Sequence, residues 1–260
     1  MGFRDWFSRR RPDASQVTEA AFLARVEAAI ETTRVPFARI EVADADEPLA
    51  PTASKIGGVP YLPQGVEPPG EEPFAFLAQI NFADLALEPF PRHGLVQFWV
   101  ADDDVYGAFR AGPRSGFRCL YYPTLDRPQR AEVPTITALG PLSEDRRQLG
   151  RGLRFCNDTG VVSPGDYHWE PFLARIELTG QPVPQAAYTR YSALGHRIGG
   201  YCDFTQSDPR RLDDPKLSLL QLDSDEHIFW GDTGLGHWFI GEADLRAGEF
   251  SRVEYHWDCC

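Results

Sequence analysis

The sequence predicts a mainly β, β-rich α+β protein. The expected architecture is an internally duplicated antiparallel roll or barrel with pseudo-twofold halves, preceded by an N-terminal amphipathic helix. Three observations carry this. Shifting the 260-residue chain by 142 positions lays Lys55-Ile56-Gly57-Gly58 on Arg197-Ile198-Gly199-Gly200, Gln64 on Gln206, Leu77-Ala78-Gln79-Ile80-Asn81 on Leu219-Leu220-Gln221-Leu222-Asp223, Gly94 on Gly236 and Ala101-Asp102 on Ala243-Asp244. Ten identities fall between positions 55 and 102, where residue frequencies alone give about three. Glycine and proline punctuate a series of short apolar runs, which favours antiparallel strands over a doubly wound parallel sheet. Finally, Phe22, Val26 and Ile30 recur every fourth position between Ser15 and Arg34, the spacing of one helix face. We expect one domain over 1–260, with a tail and helix at 1–50, a first half at 51–140, a connector at 141–190 and a second half at 191–260.

Pro36 and the acidic stretch from Asp44 to Pro51 end the helix and lead into the first copy. Its Gly57-Gly58 pair permits a sharp turn or a close backbone approach, and the prolines at 60, 63, 68, 69 and 73 exclude a continuous helix. Phe74 to Ile80 reads as a buried strand, Asn81 to Leu87 as a helical turn or two, and Gly94 to Val100 as a central strand whose Gln97 faces a cleft or a neighbouring backbone. Further strands are expected near Phe117 to Tyr122, Glu132 to Ala138 and Phe172 to Leu178, with a short helix after Ser143 and a loop from Asp158 to Trp169. In the second copy the strand candidates are Leu217 to Leu222, Ile228 to Trp230, His237 to Ile240 and Arg252 to Trp257.

Composition narrows the function classes. Twenty-six basic and 38 acidic residues give a net charge of −12, which repels phosphates and argues against a nucleic-acid partner. Five cysteines without a C-x-x-C pair form neither a disulfide framework nor a zinc ribbon. Met1 to Arg11 is basic and aromatic but lacks the apolar core of a signal peptide, and no run reaches membrane-spanning length. The expectation is a cytoplasmic protein with no integral membrane contact. The acidic surface serves solubility or accommodates a basic partner.

The second copy carries Gly199-Gly200-Tyr201, Gln206, Leu219-Leu220-Gln221-Leu222-Asp223-Ser224-Asp225 and Trp230-Gly231-Asp232-Thr233-Gly234. The first carries Gly57-Gly58-Val59-Pro60 and Phe76-Leu77-Ala78-Gln79-Ile80-Asn81. Together, from Ser54 to the C-terminus, they resemble the YwqG-like bacterial family, whose biochemical role is undefined. The resemblance implies a mainly β, roll-like, internally duplicated and cytosolic protein. One departure is Cys202, where that family more often has proline. The resemblance transfers no catalytic residue.

The strongest polar constellation is Gln221, Asp223, Asp225, Trp230, Asp232 and His237, with Gln79 and Asn81 as first-copy counterparts of Gln221 and Asp223. In an extended segment Gln221, Asp223 and Asp225 share one face. With Asp232 they would suit a divalent cation or a cationic ligand, since hard cations need several oxygens. They equally suit a structural role, bonding loop backbone at strand ends. EF-hand grammar fails at Asp223-x-Asp225, where His227 and Ile228 stand in place of a ligand and glycine. Neither a nucleophile elbow nor a phosphate loop occurs, and Asp166 and His168 lie too close to Ser163 in sequence to imply a triad. The leading expectation is therefore a non-enzymatic binding module for a protein partner or small ligand, with no cofactor; an immunity or accessory role is the form that family context adds. The alternative is a metal-assisted enzyme using Asp223, Asp225 and Asp232. Because the copies keep their glycines but differ where Asn81 faces Asp223 and Gln97 faces Phe239, a site is expected mostly in the second.

Overall fold

A computed structural model describes residues 17–43, 49–70, 73–108 and 116–260. The chain forms α1 (Glu19–Ile30), β1 (Val35–Val42), β2 (Lys55–Ile56), β3 (Phe74–Asn81), β4 (Leu95–Ala101), β5 (Phe117–Tyr122), α2 (Glu144–Gln148) and β6 (Arg151–Gly160). After these come α3 (Trp169–Arg175), α4 (Gln185–Arg190), β7 (Arg197–Gly199), β8 (Leu217–Asp223), β9 (Leu235–Ile240), α5 (Glu242–Ala247) and β10 (Glu254–Asp258). The strands make one antiparallel sheet in the order β10-β9-β8-β7-β1-β6-β2-β3-β4-β5. On each side of the central β1·β6 pair lies a run of four strands in sequence order.

The sheet curls until its two edges meet through side chains. Phe117 of β5 lies 5.4 Å from Tyr255 of β10, and Tyr121 stacks on Phe250 at 4.3 Å. Tyr255 and Trp257 donate to the carbonyls of Tyr106 and Val105. The result is a mainly β, nearly closed, barrel-like sheet. Its interior is one apolar core drawn from both strand runs, in which Phe98 meets Trp238 at 5.1 Å. A second core lies under the helices, where Phe22, Val26 and Ile30 of α1 pack on Trp169, Phe172 and Leu173 of α3. The fourfold spacing of α1 is thus its buried face, and Thr18 caps its first turn.

Each strand run contains a buried carboxamide that ties three backbone segments together. Gln79 donates to the carbonyls of Pro51 and Ala53 at 2.7 and 2.8 Å and accepts from the Tyr61 N–H at 2.9 Å. Gln221 donates to Ala193 and Gly195, both at 2.8 Å, and accepts from the Asp203 N–H at 3.2 Å. Both are fully buried. Beside them Gly57, Gly58, Gly199 and Gly200 all have positive φ, between 63° and 71°, a conformation that glycine adopts without the Cβ penalty.

Several expectations need correcting. Residues 132–138 and 228–230 form no strand, and 172–178 lie across the end of α3, because Trp169, Phe172 and Leu173 present a helical face to α1. Pro36 does not merely end the helix: it is the second residue of β1, near the strand start where a missing N–H is tolerated. The expected loop from Asp158 overlaps β6, which runs to Gly160. The offset of 142 also fails at β9. Gln79 pairs with Gln97 and Gln221 with His237, 18 and 16 residues on, so His237 rather than Phe239 stands where Gln97 does.

Replacing Gln221 by leucine leaves two carbonyls and an N–H buried without their partner. We expect Gln221→Leu and Gln79→Leu each to lower stability by about 3 kcal/mol in urea unfolding; losses below ~1 kcal/mol would mean that these bonds do not hold the fold.

Candidate functional site

The residues that converge on a cleft begin in the connector. Ser163-Pro164-Gly165-Asp166 makes a turn in which the Asp166 N–H bonds the Ser163 carbonyl and the Gly165 N–H bonds Ser163 Oγ. This buries the Asp166 carboxylate. It accepts from the backbone N–H groups of His168 (3.0 Å) and Cys202 (2.9 Å), from His168 Nδ1 (2.7 Å) and from Arg210 Nη2 (2.7 Å). Arg210, itself buried, also bonds Asp208 at 2.6 Å and the Lys216 carbonyl, and its guanidinium lies over the rings of Tyr167 and Phe239 at 4.5 and 4.8 Å. Asp208 in turn accepts from the Tyr167 N–H.

The electrostatics follow from these contacts. Burial alone would raise the Asp166 carboxyl, but the bonds from His168, Arg210 and the backbone outweigh it and hold its pKa below the ordinary range. Arg210 is likewise opposed by burial and kept cationic by its surroundings, including both carboxylates. Since Asp166 is ionised, His168 Nδ1 carries the proton toward it, and the His168 side chain as a whole is half-exposed.

His168 lines a hollow of about 360 Å³, within the size range of small-ligand sites. Its walls come from well-separated segments: Val35 and Pro36 at the start of β1, Glu88 to Phe90, Tyr167 and His168, Gly199 to Tyr201, Arg210, Pro215 to Leu217, and Glu242. Tyr201 anchors the turn by donating to the Thr33 carbonyl at 2.6 Å. The corresponding turn in the first strand run is covered. There Gly58 donates to the Arg146 carbonyl, and a Cβ on Gly57 would lie 2.0 Å from that oxygen. The hollow beside it is smaller, about 240 Å³.

None of the eight residues singled out from the sequence lines the larger hollow. Gln79 and Gln221 are the buried staples described above. Asn81 donates to the Thr52 carbonyl and accepts from Ala83, while Asp223 accepts from the Gly195 and Ser224 N–H groups. Asp225 accepts from the His227 and Ile228 N–H groups and from His196 Nε2 at 3.0 Å. Trp230 is buried against Tyr106 and Trp238, and His237 is buried and stacked on Phe204 at 4.3 Å. Asp232 is exposed. Asp223, Asp225 and Asp232 do not converge: among the described residues no group of three or more His, Cys, Asp or Glu side chains is placed to hold a metal. The Cys202 thiol is buried, which pushes its pKa up to about 11 and removes it as a nucleophile at neutral pH. Sequence reasoning weighed Asp166 and His168 only as triad partners of Ser163 and set them aside, and it passed over Asp208 and Arg210. The available signal was the Asp-x-His spacing, which lets one carboxylate accept from both the backbone and the ring two residues on.

Two outcomes test this assignment. Burial works against the Asp225 charge, but His196 and two N–H groups bring its pKa down to about 2. Its ionisation therefore contributes stability that is complete above about pH 4 and is lost as pH falls toward 2. The stability gap between wild type and Asp225→Asn, of about 1–2 kcal/mol after allowance for solvent screening, should close over that interval in urea titrations; a gap constant with pH would contradict it. Separately, Cys202→Pro deletes the N–H that Asp166 accepts, whereas Cys202→Ala keeps it. Proline should cost about 2 kcal/mol more than alanine, and equal losses would remove that bond from the account.

Among the described residues no helix is long and apolar enough to cross a membrane. Comparison with curated proteins finds no match. Residues 54–259 match the family described as a domain of unknown function, DUF1963, the YwqG-like family that the sequence motifs resemble. The match leaves out α1 and β1, although β1 lies at the centre of the sheet, and because it covers most of the chain, the protein belongs to the DUF1963 family.

Proposed function

We propose that the protein is a binding module and that the hollow beside Gly199-Gly200-Tyr201 is its ligand site. One observation carries this reading. The half-exposed His168 imidazole, in the wall of the hollow, is held by a buried cluster of two carboxylates and a guanidinium recruited from residues 166–210. Buried ion clusters are seldom a source of net stability compared with apolar packing, so this one is better explained by positioning His168. Asp223 and Asp225 use their oxygens on backbone and His196, which favours binding over metal-assisted hydrolysis.

The same reading treats residues 1–260 as one cytoplasmic unit built by duplication. Each partner of Gln221, namely Ala193, Gly195 and Asp203, lies 142 positions after the corresponding partner of Gln79, namely Pro51, Ala53 and Tyr61. The β3·β4 and β8·β9 ladders also shift register at matching places, between Phe76 and Ala78 and between Ser218 and Leu220. This supports a pseudo-twofold relation between the strand runs, with the hollow as an addition to one of them.

A small-molecule fragment panel observed by NMR tests the site. Fragments that bind wild type should lose at least tenfold in affinity to His168→Ala, whose fold is checked by circular dichroism. If every binder is indifferent to His168→Ala and to Phe90→Leu, the hollow is not the site.

A further inference from the structure

We infer that the occupant of this hollow is a basic side chain, arginine or lysine, presented by a partner polypeptide. The inference rests on the binding reading above and adds the chemistry of the ligand.

The cations in the wall are already engaged. Arg210 directs its nitrogens to Asp166, Asp208 and the Lys216 carbonyl, and Lys216 Nζ lies 3.1 Å from Asp214 and 3.3 Å from Glu254. Among the described residues the wall's own cations, Arg210 and Lys216, both have carboxylate partners, so an anionic ligand would have to displace one of these. Acceptors, by contrast, are available. In its neutral form, with Nδ1–H donating to Asp166, the His168 imidazole offers a lone pair at Nε2. Glu88 and Glu242 stand at the rim, each paired with an exposed arginine four residues along, Arg92 and Arg246. Exposed pairs of that kind contribute little, so a bound cation can recruit either carboxylate. Phe90, Tyr167 and Tyr201 also line the hollow, and aromatic rings suit an apolar stem and a guanidinium or ammonium head.

Size and charge favour a side chain of a polypeptide over a free cation. The hollow, about 360 Å³, admits one long side chain, and it opens onto a protein of net charge −12. Such a surface steers an extended basic segment toward the rim.

The test uses three peptide pools of randomised sequence with a fixed central arginine, citrulline or glutamate, passed over immobilised wild-type protein, His168→Ala and Glu88→Gln/Glu242→Gln. Wild type should retain the arginine pool at least tenfold over the citrulline pool, and both variants should reduce that preference to threefold or less. Equal retention of citrulline or glutamate peptides, lost in His168→Ala, would overturn the basic-side-chain assignment while leaving the hollow as a ligand site. Retention of no pool would also overturn it, the fragment panel deciding separately whether the hollow binds anything. If arginine methyl ester competes as well, mole for mole, as the selected peptides, a polypeptide source is ruled out.

Discussion

A primary carboxamide buried beside each double-glycine turn is the constraint on which the remaining structure depends. Its NH₂ group bridges two carbonyls of the loop before the turn, and its oxygen takes an N–H of the segment after it. No other side chain of that length offers two donors and one acceptor in this arrangement: glutamate would present oxygen to carbonyls, and leucine would leave all three groups unpaired. With Gln221 in place, Gly195 and Asp203 are fixed, and Gly199 to Tyr201 between them is held from both sides. Asp203 extends the network by accepting from Ser192 and the Ala193 N–H. The wall of the hollow is therefore set by a bond inside the sheet, not by the loops that surround it.

What the sequence made legible follows the strength of local signals. Phe74 to Ile80 and Leu217 to Leu222 are long apolar runs buried on both faces, and they are strands β3 and β8. The fourfold period of α1 was equally plain. By contrast, Phe172 to Leu178 is a short apolar run that periodicity cannot divide between helix and strand, and packing on α1 made its first part helical. β6 was missed because its side chains are mostly half-buried or exposed, so it carries no sharp alternation. Ile228 sits inside the core as an apolar run would suggest, but its backbone bonds Asp225 and meets Leu142 through an isolated bridge, not a strand ladder.

The site residues divide on similar lines. Gln79 and Gln221 stood out because they repeat, and repetition marks what both strand runs need in order to fold. His168 does not repeat. Its geometry depends on Arg210, 44 residues from Asp166 along the chain, and such a contact leaves no trace in local spacing. A search for paired features therefore finds scaffold and misses the His168 cluster beside it.

That distinction accounts for the placement of the cleft on one turn. At the first turn, position 60 is proline and has no N–H to give; α2 closes over the glycines, with the Arg146 carbonyl taking the Gly58 N–H. At the second, position 202 is cysteine. Its N–H is free to bond Asp166, and that bond draws the 163–168 segment alongside the turn instead of a covering helix. The change from Ser54 to His196 works in the same direction. Both accept from the backbone of the following strand, Asn81 or Asp223, but the imidazole spans to Asp225 where the serine hydroxyl reaches Asp84. The first difference adds a bond that proline cannot make, and the second keeps a strand bond while turning a neighbouring group toward Asp225. In this way one turn stays closed while the other has the His168 imidazole in the wall of a hollow.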